Sequence, residues 1–73
     1  MIMNPRLNIE KADGYMEQIY RDNVIEIIPP AGRSKYTHIH YRSMTHFGKI
    51  FTRVIRVSEE TSVVNLYEWL LAK

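Results

Sequence analysis

KYTHIHYR, residues 35–42, alternates without interruption. In an extended chain, successive side chains point to opposite faces. Tyr36, His38, His40 and Arg42 therefore share one face, and Thr37, Ile39 and Tyr41 the other. The next segment, SMTHFG (43–48), reads as a loop in which Gly48 is free to take positive φ. KIFTRVIRVS (49–58) follows and is the strongest strand of the chain, rich in Val, Ile, Phe and Thr. Its buried face is ambiguous: Phe51, Ile55 and Val57 fall with Arg53, whereas Ile50 and Val54 fall with Arg56. Upstream, PPAGRS (29–34) is a loop. Its two prolines lack backbone donors, and Gly32 loosens the chain. VIEII (24–28) is a short β-branched strand closed by Pro29-Pro30.

The flanks are less regular. In IEKADGYMEQIYRD (9–22), Ile9, Ala12, Met16, Ile19 and Tyr20 fit a helical stripe, but Gly14 interrupts it and Asp13-Gly14 signals a turn. Tyr15–Arg21 reads equally as a strand joined through Asp22-Asn23 to the next one, and this hairpin is preferred. Residues 1–8, containing Pro5, are expected to form a flexible arm. Beyond SEETS the period changes: Val63, Leu66, Tyr67, Leu70 and Leu71 follow i, i+3, i+4, i+7, i+8. Ser58 or Thr61 is expected to cap this helix, with Glu59 and Glu60 at its positive end and Lys73 at the other. Trp69 and Leu66 are expected in the core. The fold class is α+β: a small antiparallel sheet of three to four strands packed against a C-terminal amphipathic helix, with residues 9–73 forming one domain.

Seventy-three residues support one core. A chain of this size buries about 60% of the surface its unfolded form exposes, and a deep pocket would consume much of that core. Size thus favours a binding surface over an enzyme site. The chain has no cysteine, which removes disulfides and thiolate metal ligands. MIMNPRLNIEK is unlike a signal peptide, and the longest apolar runs fall far short of a membrane span. A soluble intracellular protein is expected, acting as a monomer and without a membrane partner.

Charge is the most informative feature. The formal net charge of +2 conceals a segregation: from Ile27 to Ser58 there is no acid. That interval carries Arg33, Lys35, Arg42, Lys49, Arg53 and Arg56 together with all three histidines, a charge of +6. The remainder sets eight acids against four cations, a charge of −4. Such a division produces a directed field.

Three chemistries compete for this interval. His38 and His40 at i, i+2 have β carbons about 7 Å apart on one strand face, and His46 becomes available as a third ligand if the hairpin folds back. A fourth would have to come from outside the acid-free interval, and neighbouring cations repel a dication, so no metal is expected. No G-x-S-x-G, H-E-x-x-H or P-loop pattern occurs, so neither catalysis nor a cofactor is expected. The remaining reading is a basic face interleaved with aromatics. Its candidate contact residues are Arg33, Lys35, Tyr36, His38, His40, Tyr41, Arg42, Lys49, Arg53 and Arg56, with Phe47 and Phe51 nearby. Cations with stacking platforms suit RNA or single-stranded DNA, but four of the six cations are Arg, which pairs equally well with the carboxylates of a protein.

Over its whole length, from MIMNPRLNIEKADGYMEQIY to VVNLYEWLLAK, the chain resembles the small RNA polymerase-binding transcription antitermination regulators of Xanthomonas phages. The resemblance implies a non-catalytic protein acting in the cytoplasm of the infected bacterial host. Its partner would be the RNA polymerase core, at the amino-terminal region of β′ and the flap of β. Binding there would inhibit initiation by displacing σ and would promote antitermination. Nucleic acid is the alternative partner, met by a small basic RNA- or single-stranded-DNA-binding module.

Overall fold

The computed structural model describes residues 5–72. Five strands and one helix follow in the order β1 (Arg6–Glu10), β2 (Met16–Tyr20), β3 (Val24–Ile28), β4 (Thr37–Met44), β5 (Ile50–Val57) and α1 (Val63–Leu71). The fold is α+β, with its strands divided between two antiparallel sheets rather than gathered in one. β1 and β2 form a hairpin, and β3, β4 and β5 form a meander with β4 at the centre. A bridge between Lys11 and Val57 joins the sheets at one side, where the Ala12 N–H donates to the Arg56 carbonyl and the Ser58 N–H to that of Glu10.

The first 22 residues depart most from expectation. Arg6–Asn8, assigned to a flexible arm, are strand residues paired with Tyr20, Ile19 and Gln18. Pro5 precedes the strand and accepts the Arg21 N–H at its carbonyl, and residues 1–4 of that arm lie outside the described residues, as does Lys73. The strand reading of Tyr15–Arg21 holds for Met16–Tyr20, but its partner is β1 rather than the strand that follows. A 3-10 turn at Arg21–Asn23 diverts the chain from one sheet into the other, so β2 and β3 do not form a hairpin. The β1–β2 connection turns at Gly14, whose φ of 90° is readily open to glycine and rarely adopted by other residues. Its geometry is helped by the Asp13 carboxylate, which accepts the Tyr15 N–H at 2.9 Å.

Packing resolves the facial ambiguities. Thr37, Ile39 and Tyr41 are buried, opposite Val57, Ile55 and Arg53 in register. β5 therefore turns Ile55, Val57 and Arg53 inward and leaves Ile50, Thr52, Val54 and Arg56 outward. Ile9 and Ile19 from the first hairpin, Ile27 from β3 and Leu66 from α1 close over this inner face. Each fully buried aliphatic side chain contributes roughly 1.5–3 kcal/mol, so these few residues dominate the stability of a small domain. The Tyr67 hydroxyl fixes the helix by donating to the Ile27 carbonyl at 2.9 Å.

The helix cap lies beyond both expected positions, one residue after Thr61 and four after Ser58. The Thr61 N–H donates to the Ser58 carbonyl, which commits Ser58–Thr61 to a turn, and Ser62 becomes the cap, its Oγ accepting the Asn65 N–H at 3.2 Å. Glu59 and Glu60 consequently fall in that turn, and no acid stands in the first helical turn. Leu66 is buried and Trp69 half-buried, but Leu71, expected on the apolar stripe, is 74% exposed. Among the described residues no helix is long and apolar enough to cross a membrane.

Candidate functional site

Strand alternation divides the sequence-derived basic face between two surfaces. On the outer face of the meander, β4 places His38, His40 and Arg42 in a row, and β5 sets Arg56, Val54 and Thr52 opposite them. β3 supplies Ile28 beside His38 and Glu26 beside His40. An acid from outside the acid-free interval thus borders the histidine row, because a β-ladder joins residues distant in sequence. At one end, the half-buried Tyr36 ring lies beneath the Arg56 guanidinium, 5.2 Å from its centroid, and the Lys35 ammonium, 5.5 Å away. Such cation–π contacts hold the long side chains in place at modest energetic gain.

Arg53 and Tyr41 do not belong to this face. Both point inward, as a register pair on the opposite side of the sheet. Arg53 meets Glu17, which shares the inward face of the first hairpin with Ile9 and Ile19, at 2.8 Å. The hydrogen bond that Arg53 donates to the Glu17 carboxylate raises the guanidinium pKa still further, against the lowering effect of partial burial. Tyr41 is 6% exposed, and its hydroxyl accepts the Tyr20 N–H at 3.0 Å. Tyr41 is closed off by this burial, whereas the Arg53 side chain, although paired with Glu17, stays 38% exposed. Their structural roles need acidic and backbone partners from the first 22 residues, whose pairing the local sequence does not show.

Lys35 is exposed but paired with Glu59 at 3.1 Å, and that hydrogen bond raises the lysine pKa. Four of the six cations, Arg33, Arg42, Lys49 and Arg56, remain exposed without an ion pair among the described residues. Arg33 lies in the loop before β4 and Lys49 in the β4–β5 turn, away from the central row. His46 occupies the same turn. Among the described residues no group of three or more His, Asp or Glu side chains is placed to hold a metal ion.

The structure also brings out an apolar component that the charge pattern obscures. Met44, Ile50 and Val54 are 67, 62 and 60% exposed, and they share the outer face with Arg42 and Arg56. Phe47, at the tip of the β4–β5 turn, is almost wholly solvent-exposed, and Phe51 is partly so. The alternation of KIFTRVIRVS contained this signal. It became legible only once Ile55 and Val57, rather than Ile50 and Val54, were seen to point into the core.

The chain matches no protein-family model, no curated protein and no solved structure.

Proposed function

We propose that this chain is a non-catalytic binding module that docks on a protein partner through the outer face of its three-stranded sheet. One observation carries the reading: unpaired Arg42 and Arg56 stand on the same uncovered face as exposed Met44, Ile50 and Val54. Mixed apolar and arginine-rich surfaces are the usual composition of protein interfaces, in which Arg supplies planar pairing to carboxylates and aliphatic groups exclude water around it. A single-stranded nucleic-acid site wants several exposed aromatic platforms beside its cations. With Tyr41 buried and Tyr36 half-buried under its own cations, the outer face offers few.

The partner implied by the resemblance is the bacterial RNA polymerase core, contacted at β′ and β. In this reading the module works by occlusion: it occupies a surface that σ or a pause-promoting element must reach, so initiation falls and elongating polymerase passes terminators. Arg42 and Arg56 steer and anchor the complex, while Ile50, Val54 and Met44 dry its centre.

Capture of purified polymerase core on immobilised protein, in nuclease-treated and untreated halves, tests the reading. The double variant Arg42→Glu/Arg56→Glu is expected to lower affinity at least about tenfold, because it replaces attraction by repulsion at two contacts. Unchanged affinity rejects the face. Capture that disappears with nuclease favours direct nucleic-acid binding, and a steep salt dependence would accompany it.

A further inference from the structure

β5 is the outermost strand of its sheet. At the turn, the Thr45 N–H donates to the Lys49 carbonyl at 2.8 Å, and Phe51, Arg53 and Ile55 continue the ladder opposite Ser43, Tyr41 and Ile39. Backbone groups alternate in direction along an antiparallel strand, so these odd-numbered residues bond to β4 and the even-numbered ones face away. The far end follows the same rule: the Arg56 carbonyl is taken by Ala12, and the Ser58 N–H by Glu10. Between that bridge and the turn, Ile50, Thr52 and Val54 direct their backbone donors and acceptors to an edge that no strand covers among the described residues.

Exposed edges are usually guarded. The opposite edge of this sheet, β3, is interrupted by a bulge between Val24 and Glu26 and stopped by Pro29-Pro30. The free stretch of β5 has no bulge or proline. Its one charge, Arg53, points inward and is neutralised by Glu17.

We propose that this edge pairs with the same edge of a second copy, antiparallel and two-fold about Thr52, joining two meanders into one continuous sheet. The free stretch, Ile50 to Val54, is symmetric about Thr52, so this register uses every free group and forms about six backbone hydrogen bonds. Ile50 then faces Val54 of the second copy, Thr52 faces Thr52, and Phe51 faces Arg53. Aliphatic pairs, a hydroxyl pair and an aromatic–cation pair are all favourable across strands. Slipping by two residues in one direction sets Lys49 opposite Arg53. Slipping in the other sets Arg53 opposite Arg53 and demands the Arg56 carbonyl that Ala12 already occupies. A contact this short is smaller than the interfaces of stable complexes and is weak.

Sedimentation of the full chain from about 10 µM to about 1 mM should reveal a monomer–dimer equilibrium in this range. Thr52→Pro removes only an N–H that faces away from β4, so it should leave a folded monomer with unchanged far-ultraviolet circular dichroism. Thr52→Lys places like charges across the two-fold and should also give a monomer, which keeps the test decisive if proline disturbs the strand. The chain has no cysteine, so Thr52→Cys is a unique probe. Paired α carbons about 5.5 Å apart permit a disulfide, and oxidation should link copies at least about tenfold faster than in the exposed helical control Val64→Cys. A protein that stays monomeric at about 1 mM, a dimer that survives both Thr52 substitutions, or equal cross-linking at positions 52 and 64 overturns the proposal. None of these readouts involves polymerase, so their outcome is separate from that of the docking face.

Discussion

The two faces of the three-stranded sheet are made from the same strands and have opposite fates. Ile39, Tyr41, Ile55 and Val57 are sealed beneath the first hairpin and the helix, whereas His38, His40, Val54 and Arg56 are left uncovered among the described residues. Arg53 and Arg56 mark the division most sharply. They lie three residues apart, in one run without acids, yet one is held inside by Glu17 and the other lies outside over Tyr36. A charge run along a strand is therefore not a charge patch. Alternation sends its members to two surfaces, and only what covers each surface decides which of them stay free.

The largest effect should come from Ile39→Ala, which opens a cavity at the fully buried centre of β4. A loss of about 2–5 kcal/mol is expected, enough to threaten folding of a domain this small, whereas Val54→Ala on the outer face should stay within about 0.5 kcal/mol. Urea denaturation of the two variants measures the contrast directly, and equal losses would mean that the outer face is covered in solution. A smaller effect is expected from Tyr41→Phe. It leaves the Tyr20 N–H without its acceptor where the two sheets meet and should cost about 1–2 kcal/mol. Faster hydrogen exchange at Tyr20 would locate the loss, and a neutral result would show that water satisfies that donor. The arginines give the finest test. Arg53→Ala is expected to cost about 1 kcal/mol, because the partly buried Glu17 loses its 2.8 Å partner and keeps only Lys11 at 3.8 Å among the described residues, and Arg56→Ala about 0.5 kcal/mol or less. Thermal melts that reverse this order would break the assignment of inner and outer cations.

Much of the architecture was legible locally. Strict alternation in KYTHIHYR gave the right faces for Thr37 to Arg42, although the strand runs Thr37–Met44 and leaves Lys35 and Tyr36 in the approach to it. The change of period after residue 62 gave the helix. The first hairpin was harder to read, because Arg6–Glu10 has only Leu7 and Ile9 to mark its buried side and becomes a strand by pairing with Met16–Tyr20. The candidate surface was half legible. His38, His40, Arg42 and Arg56 do share a face, but Tyr41 and Arg53 could not be excluded from it without knowing where Glu17 and the Tyr20 backbone lie.

The sequence by itself determined the element types from Val24 onward, the segregation of charge and the absence of thiol chemistry, since these depend on composition and on the fixed geometry of strand and helix. The tertiary structure decided which side of β5 is buried, which acids neutralise which cations, and that Ile50, Thr52 and Val54 stand at an open edge. Those outcomes depend on contacts between segments tens of residues apart, and no local period encodes them.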